Sequence, residues 1–102
     1  MNVKWTVLIA GAAMVITIGA AQAAGNPAAG QAKAGMCAAC HGPTGKGVAP
    51  NPPLAGKSEA QLAQALHQYK SGQRPNPVMK GIAASLSDQD IDNLATYFAS
   101  LR

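Results

Sequence analysis

Cys37-Ala38-Ala39-Cys40-His41 is the stretch on which the reading of this chain turns. Two thiols three positions apart, followed at once by an imidazole, make the C-x-x-C-H pattern of covalent haem attachment. The thiols can add across the two vinyl groups on one edge of a haem. The next residue, His41, then places its imidazole under the iron as proximal ligand. Two other chemistries use such cysteines. A redox dithiol sits at a strand-to-helix junction of a longer α/β chain and needs no histidine after the second cysteine. A zinc site needs more ligands than these three, and beyond them only His67 remains.

The N-terminus says where such a group would be attached. Met1 to Trp5 carries one positive charge, Lys4, and an apolar run follows from Val7 to Ile18. Gly19-Ala20-Ala21-Gln22-Ala23-Ala24 closes it with small residues. This is the three-part layout of a secretory signal peptide, with Ala21 and Ala23 at the small-x-small positions. Residues 1–23 are therefore expected to be cleaved, leaving 24–102 as one domain in the periplasm. As an uncleaved anchor the segment is short: Trp5 to Ala21 is 17 residues, at the bottom of the spanning range. No membrane span is expected in the mature chain.

The mature chain would have 79 residues and three aromatics, Tyr69, Tyr97 and Phe98. A chain this small buries little core alone and needs a staple or cofactor. Both cysteines are committed to thioethers, which leaves none for a disulfide. A covalent haem would supply the large apolar body that the side chains lack. The formal charge is +4, or +3 without Lys4. The cations are scattered, with no basic run or interleaved aromatics, so nucleic acid is not an expected partner. The acids Asp88, Asp90 and Asp92 lie late in the chain, leaving its middle basic and able to dock an acidic partner.

The periodicity is helical throughout. Asn26 and Pro27 open a first helix expected to reach Cys40. Gly30 inside it costs roughly 0.5–1 kcal/mol relative to alanine, which implies close approach of another element. Gly42 to Gly56 reads as a loop. A second helix is expected from Ser58 to Lys70, with Leu62, Ala65, Leu66 and Tyr69 as its apolar stripe and Gly72 ending it. A loop from Gln73 to Pro77 precedes Val78-Met79 and a short helical turn near Lys80 to Ala84, which sets Met79 in a polar loop before that turn. Ser87-Asp88-Gln89-Asp90 resembles a capping box, and Ile91, Leu94, Ala95, Phe98 and Leu101 then recur at helical spacing. The fold class is all-α.

A haem with both axial positions filled needs a second ligand opposite His41. Met36 adjoins Cys37 and cannot reach the far face. Met79 lies 38 residues beyond His41, after the stiff run Arg74-Pro75-Asn76-Pro77, and is the candidate. His67 is its rival, set among polar Gln64 and Gln68 in the second helix.

Across the mature part the chain resembles the class I cytochromes c, of the small monohaem bacterial kind called cytochrome c-553. It is similar also to single domains of dihaem periplasmic cytochromes. The likeness rests on Cys37 to Gly42, Pro52-Pro53-Leu54-Ala55-Gly56, Tyr69 to Arg74, Met79 and Asp90 to Phe98. It implies about four helices and loops wrapped around one haem c, with a glycine of the first helix crossing an aromatic of the last, here Gly30 and Tyr97. It implies that the Pro52 carbonyl accepts the proton on the other ring nitrogen of His41, and that Leu54 packs on the haem face. It places Tyr69 and Arg74 near the haem and its propionates. The doubled proline, Pro52-Pro53, and a first helix without an aromatic depart from the family's pattern.

The function expected is that of a monomeric single-electron carrier without enzymatic activity. Its donor would be a quinol-oxidising complex, and its acceptor a terminal oxidase, peroxidase or reductase. The alternatives are a haem subunit of a larger dehydrogenase or oxidase complex, and a haem enzyme or gas sensor with an open distal site.

Overall fold

In a computed structural model, which describes residues 25–101 together with 2, 3, 6 and 9–14, Asn26 caps the first described helix. The Asn26 side chain accepts from Ala28 N and Ala29 N, and Pro27 takes the first helical position of α1 (Pro27–Lys33). The proposed cleavage site after Ala23 lies outside the described residues.

The single first helix expected up to Cys40 is two. After Lys33 the chain tightens at Ala34, whose N–H donates to Gln31 O three residues back. Helix α2 (Gly35–His41) then starts afresh and carries both cysteines and the histidine. Glycine at position 35, a poor helix former, adjoins the break.

Helix α3 (Glu59–Ser71) has a complete capping box between Ser58 and Gln61, and left-handed Gly72 ends it. Helix α4 (Pro77–Ala84) starts three residues before the expected turn. The reason is a second Asn-Pro start: Asn76 accepts from Val78 N and Met79 N, and Pro77 leads the helix. Met79 thus belongs to the first turn of α4 and not to a preceding loop. Helix α5 (Asp88–Ser100) opens on the expected box, with Ser87 and Asp90 bonded reciprocally at 3.0 Å.

The described residues therefore form five helices and no strand. Helix α5 is central, packing against α1 on one side and α3 on the other, while α4 lies against α3 and α2 continues from α1. Ile91, Leu94, Ala95 and Phe98 of α5 are buried with Leu62, Leu86, Ala34 and Cys37. Of the α3 stripe only Leu62 is fully buried. Ala65, Leu66 and Tyr69 are half-buried, because that face borders a cavity and not another helix. Gly30 lets α1 approach α5, the space for its missing Cβ being taken by the Asn93 main chain and Tyr97 Cβ. None of the described helices is long and apolar enough to cross a membrane.

Candidate functional site

A cavity of about 700 Å³ lies between α2, α3, α4, α5 and the loop after α2, a size suited to a cofactor. Cys37, Cys40 and His41 border it from α2, and Pro52 and Leu54 from the loop. Tyr69 and Arg74 border it at the end of α3 and just beyond, and Met79 from α4. All eight residues singled out in the sequence meet there. Helices α2 and α4 do not approach each other closely, and His41 and Met79 border the same cavity from these two helices.

His41 is 6% exposed, and its Nδ1 stands 2.7 Å from the Pro52 carbonyl oxygen. A carbonyl can only accept, so Nδ1 carries the ring proton and Nε2 is left with its lone pair. Among the described residues the hydrogen bond of the ring is the one at Nδ1, and Nε2 has no partner. A buried imidazole whose Nδ1 proton is held by a carbonyl and whose Nε2 has no protein partner is the arrangement of a metal ligand.

The two thiols are free, Cys37 buried and Cys40 exposed. Burial pushes the Cys37 thiol up from its ordinary value. That is the reverse of what a reactive redox dithiol needs, since the thiolate is the nucleophile. No group of three or more His, Cys, Asp or Glu among the described residues is arranged to hold a metal ion, which tells against zinc.

Met79 is half-buried at the cavity wall. Met36 also reaches that wall, from the position beside Cys37, and is 42% exposed. His67 does not border the cavity; its Nδ1 lies 3.8 Å from an Asp88 carboxylate oxygen at the start of α5. The Arg74 guanidinium stacks over the Tyr69 ring at 5.3 Å from its centroid.

Three further features were not singled out in the sequence. Lys57 joins Arg74, which the resemblance had already placed there, on the cavity wall, and no carboxylate stands with them. Such a wall suits an amphipathic, dianionic guest. Gln61 and Gln64 border the cavity from α3, a polar edge legible in the sequence once α3 is set down, and Lys57 stands just ahead of the Ser58 cap. Asn51 borders the cavity and bonds back to Cys40 through its side chain. The donor set, the tautomer, the apolar interior and the cationic wall together fit a covalently attached haem.

Residues 27–102 match the family model described as Cytochrome c. Over 83 residues, 80% of this chain, the sequence is 52% identical to cytochrome c4 of Pseudomonas aeruginosa and covers 41% of that protein. It is 43% identical to cytochrome c-554(548) of Halomonas halodenitrificans, over 76% of this chain and 98% of that one. Its fold is similar to part of a thiosulfate dehydrogenase from Marichromatium purpuratum, with a TM-score of 0.74 and 31% identity over 78% of this chain and 20% of that one. The chain spans about two fifths of the length of the curated cytochromes c4 it matches.

Proposed function

The chain belongs to the cytochrome c family, and on that premise we propose a periplasmic single-electron carrier with one haem c held between His41 and Met79. Haem-based electron transfer is the family's chemistry, and covalently attached haem its cofactor. When bound, the haem supplies an iron that takes up and releases one electron. The observation that carries the reading is the meeting of Cys37, Cys40, His41 and Met79 on one cavity whose α2 and α4 walls do not touch.

Each residue then has a task. Cys37 and Cys40 tether the haem edge. Pro52 holds the proton on His41 Nδ1, which aims Nε2 and raises its donor strength. Met79 would supply its thioether as the second iron ligand, which would leave no site open for a substrate, and a thioether ligand favours a higher potential than a second imidazole. Leu54, Leu62 and Phe98 keep water from the interior, and Lys57 and Arg74 offset the two propionates. Residues 1–23 direct export and are removed. Exchange with a quinol-oxidising donor and an oxidase, peroxidase or reductase acceptor proceeds through small, transient contacts.

A second reading, a haem subunit of a larger dehydrogenase, draws on the likeness to part of a thiosulfate dehydrogenase. The carrier reading draws on the 43% identity to cytochrome c-554(548), of which the chain covers 98%. The test is the exported protein purified in its native state. Residues 24–102 plus one haem by intact mass, one electron per chain on titration, and elution at monomer size are expected. Elution with a dehydrogenase subunit supports the second reading, and an axial position open to added ligands in the resting protein overturns both.

A further inference from the structure

In Pro50-Asn51-Pro52-Pro53 three of four residues lack an amide N–H, because proline has no backbone donor. The carbonyl that meets His41 Nδ1 belongs to Pro52, inside this run. After it, Leu54 N and Ala55 N donate to Gly45 O at 2.7 and 2.9 Å. Before it, Asn51 N donates to Val48 O at 2.8 Å, a bond that ties the loop only to itself.

What fastens the run to α2 is the Asn51 side chain, whose Nδ2 donates to Cys40 O at 2.9 Å. That carbonyl is among the last of α2, which have no partner within the helix. The next one, His41 O, is taken by Gly47 N at 2.7 Å. Asn51 and Pro52 therefore grip Cys40 and His41, consecutive residues held from consecutive positions.

We propose that Asn51 is a positioning residue for the axial imidazole, its amide holding the Pro52 carbonyl against His41 Nδ1 and thereby setting the donor strength of Nε2. The inference rests on the reading of His41 as an axial ligand. An acceptor on Nδ1 makes the imidazole a stronger donor and favours the oxidised iron. Loosening that acceptor moves the potential upward.

The test compares wild-type holoprotein with Asn51→Ala, Asn51→Gln and Thr96→Ala. The last removes a 2.7 Å hydrogen bond from Thr96 Oγ1 to Glu59 Oε1, away from the cavity wall. Midpoint potential is measured together with NMR hydrogen exchange of the His41 Nδ1 proton in the reduced state. Asn51→Ala is expected to raise the potential and to speed exchange roughly tenfold, the order expected for one lost hydrogen bond. Asn51→Gln, which still donates, falls between it and wild type. Thr96→Ala lowers the denaturation midpoint and moves neither readout. Should Asn51→Ala lower the midpoint in the same way while leaving potential and exchange unchanged, Asn51 only braces the loop and the proposal is overturned. If Asn51→Ala yields no holoprotein, Asn51→Gln decides alone: both readouts at wild-type values overturn the proposal. Wild-type spectra without haem-shifted His41 ring resonances would instead overturn the axial reading on which it rests.

Discussion

Gly30 of α1 lies so close to Asn93 of α5 that a Cβ on it would overlap the Asn93 carbonyl, with Tyr97 Cβ a further 2.8 Å neighbour. The obstacle is backbone and cannot swing aside. Gly30→Ala is expected to destabilise the holoprotein by about 1–3 kcal/mol, the usual cost of overpacking. Gly35 has open space around its missing Cβ. Gly35→Ala should therefore gain up to about 0.5–1 kcal/mol from helix propensity. Urea denaturation followed by circular dichroism separates them, and equal midpoints for the two variants would refute the packing account.

The same pair shows what the sequence could and could not tell. A glycine inside a helix signals close approach, and the family resemblance offered Tyr97 as its neighbour. Contact with the Asn93 main chain leaves no trace in residue identity, since any residue at 93 would present it. Side-chain chemistry was legible throughout: C-x-x-C-H, the Ser87–Asp90 box and the α5 stripe all stand where their residues predicted. Three things were not. The break at Ala34 depends on local backbone tightening that Gly35 eases but does not dictate, and Asn76-Pro77 starts a helix within a proline-rich stretch whose composition predicts a loop. Lys57 and Asn51 reach the cavity through loop geometry, which periodicity does not encode.

Asp90 joins α5 to α1. The hydrogen bond from the Lys33 ammonium at 2.9 Å, and then that from the Ser87 N–H, hold its carboxyl down at about 2. A depressed folded-state value means stability that is fully present above the ordinary carboxylate range and lost as pH falls through about 2. Wild type should lose stability between about pH 4 and pH 2. Asp90→Asn should be less stable at neutral pH and flatter across that window. Thermal melts in a pH series check this, and parallel curves for the two proteins would show that Asp90 contributes nothing there.

Loss of a thioether tests the haem as the fold's centre. At roughly 24 cal/mol per Å³, the figure for dry cavities, an empty cavity of about 700 Å³ would cost on the order of 15 kcal/mol. Flooding it instead wets Leu62, Leu94 and Phe98. Either cost rivals the whole net stability of a domain. Cys37→Ala and Cys40→Ala should therefore fail to accumulate as folded protein. A protease-resistant apoprotein from either variant, with native circular dichroism, would show that the five helices hold without the group.

Met79 and His67 make opposite predictions for the distal position. Met79 stands on the cavity wall at the first turn of α4, while His67 lies beside Asp88 outside it. The ferric protein should be low-spin with the weak red absorption band of an iron–sulfur bond. Met79→Ala should abolish that band and admit cyanide or carbon monoxide. Met79→His should restore six coordination at a lower potential, because imidazole favours the oxidised iron more than a thioether does. A drop of more than about 59 mV would correspond to at least a tenfold shift in that preference. His67→Ala and Met36→Ala should leave spin state and potential as they are. If His67→Ala changes the spin state and Met79→Ala does not, the iron is held by two histidines. Helix α4 would then have to be read as cavity wall alone.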